Sequence, residues 1–176
     1  MTRRCPTLHP RPGRRPNARR GLAAVEAAVM LPILVTLMLG VWEVGRMIQV
    51  TEILQNAVRE GARLAAGGNS SGTGVTVSMV QQEVLNYMTS AGLPTAAVNN
   101  ATVTLTNLSS DTWTDPGDAS PLDKFSVSVT VPSGTAYNSL RWGLVSTITG
   151  VSSLTVSTTW LSANDSTVTI STSLPY

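Results

Sequence analysis

The feature that most constrains this chain is an apolar run of 22 residues, Gly21 to Trp42, interrupted by one charge at Glu26. At about 1.5 Å rise per residue it reaches about 33 Å as a helix. A bilayer's hydrocarbon core is roughly 30 Å thick. The run therefore predicts a transmembrane helix over residues 22–42, preceded by a basic segment over residues 1–21. Trp42 stands where an interfacial aromatic belongs, and Arg46, one turn on, falls at headgroup level. A cleaved secretory signal would need a small-residue cleavage site after a shorter apolar run, and Gly40-Val-Trp-Glu-Val-Gly45 offers none. A buried helix of a soluble protein is disfavoured by the charge asymmetry around the run.

That asymmetry also explains a sequence pI near 9.1. Seven of the twelve basic residues, Arg3, Arg4, Arg11, Arg14, Arg15, Arg19 and Arg20, lie in the first twenty positions, which contain no acid. The remainder holds five bases against ten acids, a net charge of −5. The excess of arginine is a topology signal and not a nucleic-acid surface. By the positive-inside rule it places the N-terminus in the cytoplasm and residues 67–176 on the exported side of the cell membrane. The prolines among those arginines, Pro6, Pro10, Pro12 and Pro16, predict an extended tail over residues 1–20. The lone cysteine, Cys5, and lone histidine, His9, lie in that tail. Beyond it neither Ser-His-Asp nor Cys-His catalysis nor an ordinary zinc site can be assembled, and no phosphate-binding glycine motif occurs, so no enzyme activity, metal or cofactor is expected.

Past Trp42, apolar residues recur at three- and four-residue steps: Met47, Val50, Leu54, Ala57 or Val58, Gly61 and Leu64. This predicts that the helix continues as an amphipathic one over residues 43–66 and stops at Gly67-Gly68. Ser78-Met-Val-Gln81 has the form of a capping box opening a second helix, with Val80, Val84, Tyr87, Met88 and Ala91 on one face and Gly92-Leu-Pro94 as its stop. Strands are expected where apolar residues alternate with Ser or Thr, at Ala101 to Leu105, at Phe125 to Val131, at Leu154 to Trp160, and around Val168 and Ile170. The apolar stretch Tyr137 to Ile148 is assigned to the core. The acidic segment Asp111 to Asp123 lacks EF-hand spacing and reads as a solvated, turn-rich loop. The fold class is thus α+β, a long N-terminal helix followed by a second helix and a small antiparallel sheet of three to four strands.

Glu26 requires a reason, since an ionised carboxylate costs about 2.5–3.5 kcal/mol near a bilayer centre, less towards an end. One reason is a position at headgroup level with the side chain snorkelling. The other is a cationic partner met during assembly or recognition. Arg19-Arg20-Gly21, Val25-Glu26, Leu31-Pro32, Gly40-Val-Trp-Glu43-Val-Gly45-Arg46 and Leu54-Gln-Asn-Ala-Val-Arg59-Glu60-Gly61-Ala62-Arg63 together resemble the TadE-like family, pseudopilins or minor pilins of tight-adherence (Flp, type IVb) pilus systems. The resemblance covers about residues 19–65. It implies a pilin-like fold and cutting by a membrane prepilin peptidase between Gly21 and Leu22, which leaves the anchor attached. It also implies pairing of Glu26 with the new α-amino group of a neighbouring subunit. Its implied partners are the lipid bilayer, the peptidase, other pilus or pseudopilin subunits and the inner-membrane assembly platform. From the residues themselves, Pro32 is expected to loosen the helix. Glu43 reaches Arg46, and Glu60 reaches Arg63, at i,i+3 spacing, which fits ordinary solvated pairs. The resemblance recasts Glu43, Arg46, Arg59, Glu60, Gly61 and Arg63 as a candidate interaction face. A competing reading is an uncleaved single-pass protein whose exported domain is a binding module or adhesin.

Overall fold

The computed structural model describes residues 18–68, 74–132, 150 and 153–164. The chain divides into two compact units, residues 1–39 and 40–176. One element, helix α1 (Ala18–Gly67), carries sequence from both. It begins at Ala18, inside the stretch expected to be extended. Pro16 is the last proline before Ala18, and Ala18, Arg19 and Arg20 all favour helix. Within residues 21–39 the described side chains are all exposed, large apolar ones included.

The second unit holds the rest of the secondary structure: helix α2 (Val77–Ser90), helix α3 (Thr95–Asn99), strands β1 (Thr102–Asn107), β2 (Lys124–Pro132) and β3 (Ser153–Leu161), and a single 3-10 turn at Pro116–Asp118. The strands form an antiparallel meander in the order β1-β2-β3. Helices line one face of it. Val50, Leu54, Ala57, Val58, Ala62, Ala65 and Ala66 of α1 share a core with Val80, Val84 and Met88 of α2, Ala97 and Val98 of α3, and Val103, Phe125, Val127, Val129 and Val131 of the sheet. The 4-3-1 spacing of the α1 residues makes one continuous stripe. Trp113 packs edge-on against Phe125, centroids 6.4 Å apart at 82°.

Several boundaries differ from those expected. The N-cap of α2 is Thr76, not Ser78. Its hydroxyl accepts from the Met79 amide, and the preceding turn is closed by the 2.8 Å bond from the Val77 amide to Asp115 Oδ1. Gln81 does not reach back to a cap. Its Nε2 donates to the Val103 carbonyl at 3.0 Å, on β1. At the other end Gly92, at φ +83°, lets the Gly92 amide reach Thr89 O and the Leu93 amide reach Met88 O, a Schellman closure with Leu93 and Met88 both buried. Ala91, expected on the buried face, is exposed as the C-cap. Helix α3, five residues after Pro94, was not foreseen.

The acidic loop is a correction of substance, because it is tied into the fold. Asp115 caps α2, Pro116 is buried, and Asp123 is buried with Oδ2 accepting from the Ser120 amide at 2.8 Å. Gly117 lies against Gly74 so closely that a Cβ would sit 2.8 Å from the Gly74 Cα. Asn164 fastens the same corner, its Nδ2 donating to the carbonyls of Pro116, Gly117 and Ala119 at 3.1, 3.3 and 2.7 Å. The stretch Tyr137 to Ile148 and the strand expected at Val168 and Ile170 lie outside the described residues.

Candidate functional site

The candidate residues all lie on α1, and the structure sorts them by what surrounds them. Gly21 and Leu22 fall one turn into the helix, and a Cβ placed on Gly21 would meet nothing within 4 Å. Glycine costs about 0.8–1 kcal/mol relative to alanine inside a helix. Gly40 and Gly45 are equally uncrowded. None of these three glycines is required by packing among the described residues.

Glu26 is exposed five residues after Gly21, about 7 Å along the axis. Around it Leu22, Val25, Val29 and Met30 are each more than half exposed. The exposed apolar surface runs on through Leu31, Leu34, Leu37, Met38, Val41 and Trp42. No other described helix is long and apolar enough to cross a membrane. At a mean hydropathy of 2.3 in its most apolar 18-residue window, and with none of that window buried, α1 has the length and composition of a single-pass membrane anchor. A surface of this size is stable only against lipid or against other apolar helices.

Pro32 sits in this span without ending the helix. Lacking an N–H, it leaves the carbonyl four residues earlier without its helical donor. Thr36, one turn later, donates its hydroxyl to the Pro32 carbonyl at 2.8 Å, a side-chain bond back onto the helix that does not involve the carbonyl of Ala28. The Thr at i+4 from the proline was the sequence signal for this bond, and it was overlooked.

Beyond the span, Glu43 is half-buried and Arg46 exposed. Glu60 and Arg63 form a forked ion pair, Arg63 Nε lying 3.0 Å from Glu60 Oε2 and Nη2 engaging Oε1. The hydrogen bonds from Arg63 hold the Glu60 carboxyl below its ordinary range against a smaller opposing effect of desolvation, and Glu60 in turn raises the Arg63 guanidinium. Both are partly or largely open to water, so the pair fixes side-chain geometry more than stability. Arg59 is exposed and, among the described residues, makes no ion pair. It lines a shallow groove with Gln55 and Val58 of α1 and Val156, Ser157 and Thr158 of β3. Gly61 faces inward. A Cβ there would lie 2.5 Å from Val84 Cγ2, so the close approach it permits is to α2 of its own chain. The structure thus separates the six residues of the expected face: Arg59, Glu60 and Arg63 are on the surface, and Gly61 is in the core.

No curated protein and no solved structure matches this chain. A family model does match, over residues 21–63, and its description is TadE-like protein. Those residues include the uncovered apolar span, Glu26, Pro32 and the Glu60–Arg63 pair. The chain therefore carries a TadE-like segment in its N-terminal helix, which relates it to the proteins of Tad pili.

Proposed function

We propose that the protein is a membrane-anchored pseudopilin acting in assembly of a tight-adherence pilus, with a structural and not an enzymatic role. The observation that carries this reading is Glu26, an exposed carboxylate on an uncovered apolar helix, five residues after Arg19-Arg20-Gly21 and within the TadE-like segment. A prepilin peptidase hydrolyses the Gly21–Leu22 peptide bond on the cytoplasmic side. The basic leader leaves and the apolar helix stays, now beginning with a free ammonium group at Leu22. In low dielectric that ammonium and a carboxylate are each costly alone and mutually stabilising together. Glu26 of one subunit therefore takes the ammonium of the next as its partner while the apolar faces exchange lipid for one another. Arg59, Glu60 and Arg63 form the exported face that contacts further pilus subunits.

The test is genetic. Deleting the gene is expected to abolish pili, wild-type protein to restore them, and Glu26→Ala to insert in the membrane without restoring them. Normal pili in the deletion strain, with loss of surface binding alone, would instead mark the chain as an uncleaved anchor for an exported binding module.

A further inference from the structure

The rest of the fold treats the two edges of the sheet differently. On β1, Val103 is buried and its carbonyl accepts from Gln81 Nε2 of α2 at 3.0 Å, so a helix covers that edge there. On β3, at the opposite edge, no backbone hydrogen bond among the described residues reaches the outer side. The helix-facing side chains show the same gap. Phe125, Val127, Val129 and Val131 of β2 are buried, whereas their partners across the ladder, Trp160, Thr158, Val156 and Leu154, are half-buried or exposed. Beside them a groove runs between Val156, Ser157 and Thr158 of β3 and Gln55, Val58 and Arg59 of α1.

Natural sheets blunt a free edge with a charge, a proline or a bulge. β3 has none of these: Ser153–Leu161 is uncharged, lacks proline and pairs with β2 in unbroken register. Such an edge stays single only when something covers it. The sequence beyond β3 supplies a matching pattern, since Val168, Ile170 and Leu174 share one parity, Thr167, Thr169, Ser171 and Ser173 hold the other, and no charge falls between Ser166 and Leu174. The chain also sets off towards the groove. After Leu161 the Ala163 amide bonds the Ala66 carbonyl at 2.9 Å, which brings it to α1, the groove's other wall.

We propose that residues 167–174 of the same chain form a fourth strand, antiparallel to β3, along this open edge. Parity fixes its face: Val168 and Ile170 stand on the helix side with Trp160 and Thr158, and the Ser and Thr between them join the outer face. Pairing Val168 with Trp160 leaves residues 162–166 as the connection, within the usual hairpin range of about two to five residues. The same register sets Ile170 opposite Thr158, Thr172 opposite Val156 and Leu174 opposite Leu154, so Ile170 arrives at the groove. A slip of one residue would turn Val168 and Ile170 to water. The added strand removes the edge that would otherwise pair with another chain. The inference is independent of how the N-terminal helix is processed.

The test is disulfide trapping in the full chain in detergent micelles, with Cys5→Ser removing the native thiol. Ser157→Cys with Ser171→Cys places thiols at directly opposed outer-face positions, where Cα atoms about 4.5–5.5 Å apart suit a disulfide. Oxidation is expected to close this pair within one chain, with loss of both free thiols and faster migration on a non-reducing gel. Ser157→Cys with Thr172→Cys, on opposite faces, is expected to stay reduced. Amide exchange reads the wild-type chain in parallel. Alternate amides of residues 167–174 are expected to be protected, and β3 is expected to lose protection when residues 165–176 are deleted. A disulfide joining two chains overturns the proposal by giving the edge to a second copy. So does an absence of cross-linking in the matched pair, equal cross-linking of both pairs, or unprotected exchange throughout residues 167–174.

Discussion

Two leucines on the same helix show how differently one element can be used. Leu54 is fully buried in the core that α1 shares with the other helices and the sheet, whereas Leu34 is 63% exposed. The glycines repeat the contrast, with Gly61 pressed against Val84 and Gly40 facing open space. Over residues 50–66 the chain supplies its own apolar partners, so the sequence needs a stripe with small residues where α2 comes near. Over residues 22–42 no such stripe exists. The run is apolar on all sides, which is the pattern of a helix whose partner is lipid or another chain.

The largest expected effects follow from breaking that contrast. Leu54→Ala leaves a cavity in a packed core and is expected to destabilise the second unit, residues 40–176, by about 2–5 kcal/mol. Leu34→Ala is expected to change domain stability by less than about 0.5 kcal/mol. Chemical unfolding in detergent, followed by tryptophan fluorescence, compares the two directly. Gly61→Ala comes next, at about 1–3 kcal/mol of destabilisation from overpacking against a buried, β-branched Val84. Gly40→Ala is expected to be neutral or to gain up to about 1 kcal/mol of helix propensity. A smaller effect, about 1 kcal/mol, is expected from Asp115→Ala, which removes the acceptor held by the Val77 amide. Asp115→Asn should recover part of it by keeping an oxygen in place.

The smallest effect is a titration. Glu60 has its folded carboxyl lowered by Arg63. Whatever stability it contributes is therefore present above the unfolded carboxylate pKa and is lost as pH falls through the lower folded value. Arg63→Ala should return the Glu60 titration to its ordinary position in an NMR carboxylate titration, with no detectable change in stability at neutral pH. A Glu60 pKa indifferent to Arg63 would show the forked pair to be absent in solution.

Most of the architecture was legible because it rests on periodicity. The stripe from Met47 to Val58, the α2 face at Val80, Val84 and Met88, and the alternation in β2 all follow from which side of an element must leave water, while beyond Gly61 the stripe runs through Ala62, Ala65 and Ala66 and not through the expected Leu64. The features that escaped depend on contacts between distant segments. Ser78-x-x-Gln81 satisfies the local capping rule, yet Thr76 caps α2 because Asp115, 38 residues away from Val77, takes the first amide. The loop from Asp111 to Asp123 looks solvated by composition, but Asn164 binds three of its carbonyls from 45 to 48 residues away. Gly61 is the instructive case at the candidate site. The resemblance grouped it with Arg59 and Arg63, whereas its position in the 3.6-residue period, beside Ala57, Val58, Ala62 and Ala65, placed it in the core, and there it lies.

The proposed function makes the apolar span a pseudopilin anchor released from its basic leader. Intact-mass analysis of protein extracted from membranes after coexpression with its prepilin peptidase measures this most directly. A mass beginning at Leu22, dependent on the peptidase and lost in Gly21→Val, is the predicted result. A full-length chain retaining Arg19-Arg20-Gly21 alongside active peptidase would contradict it.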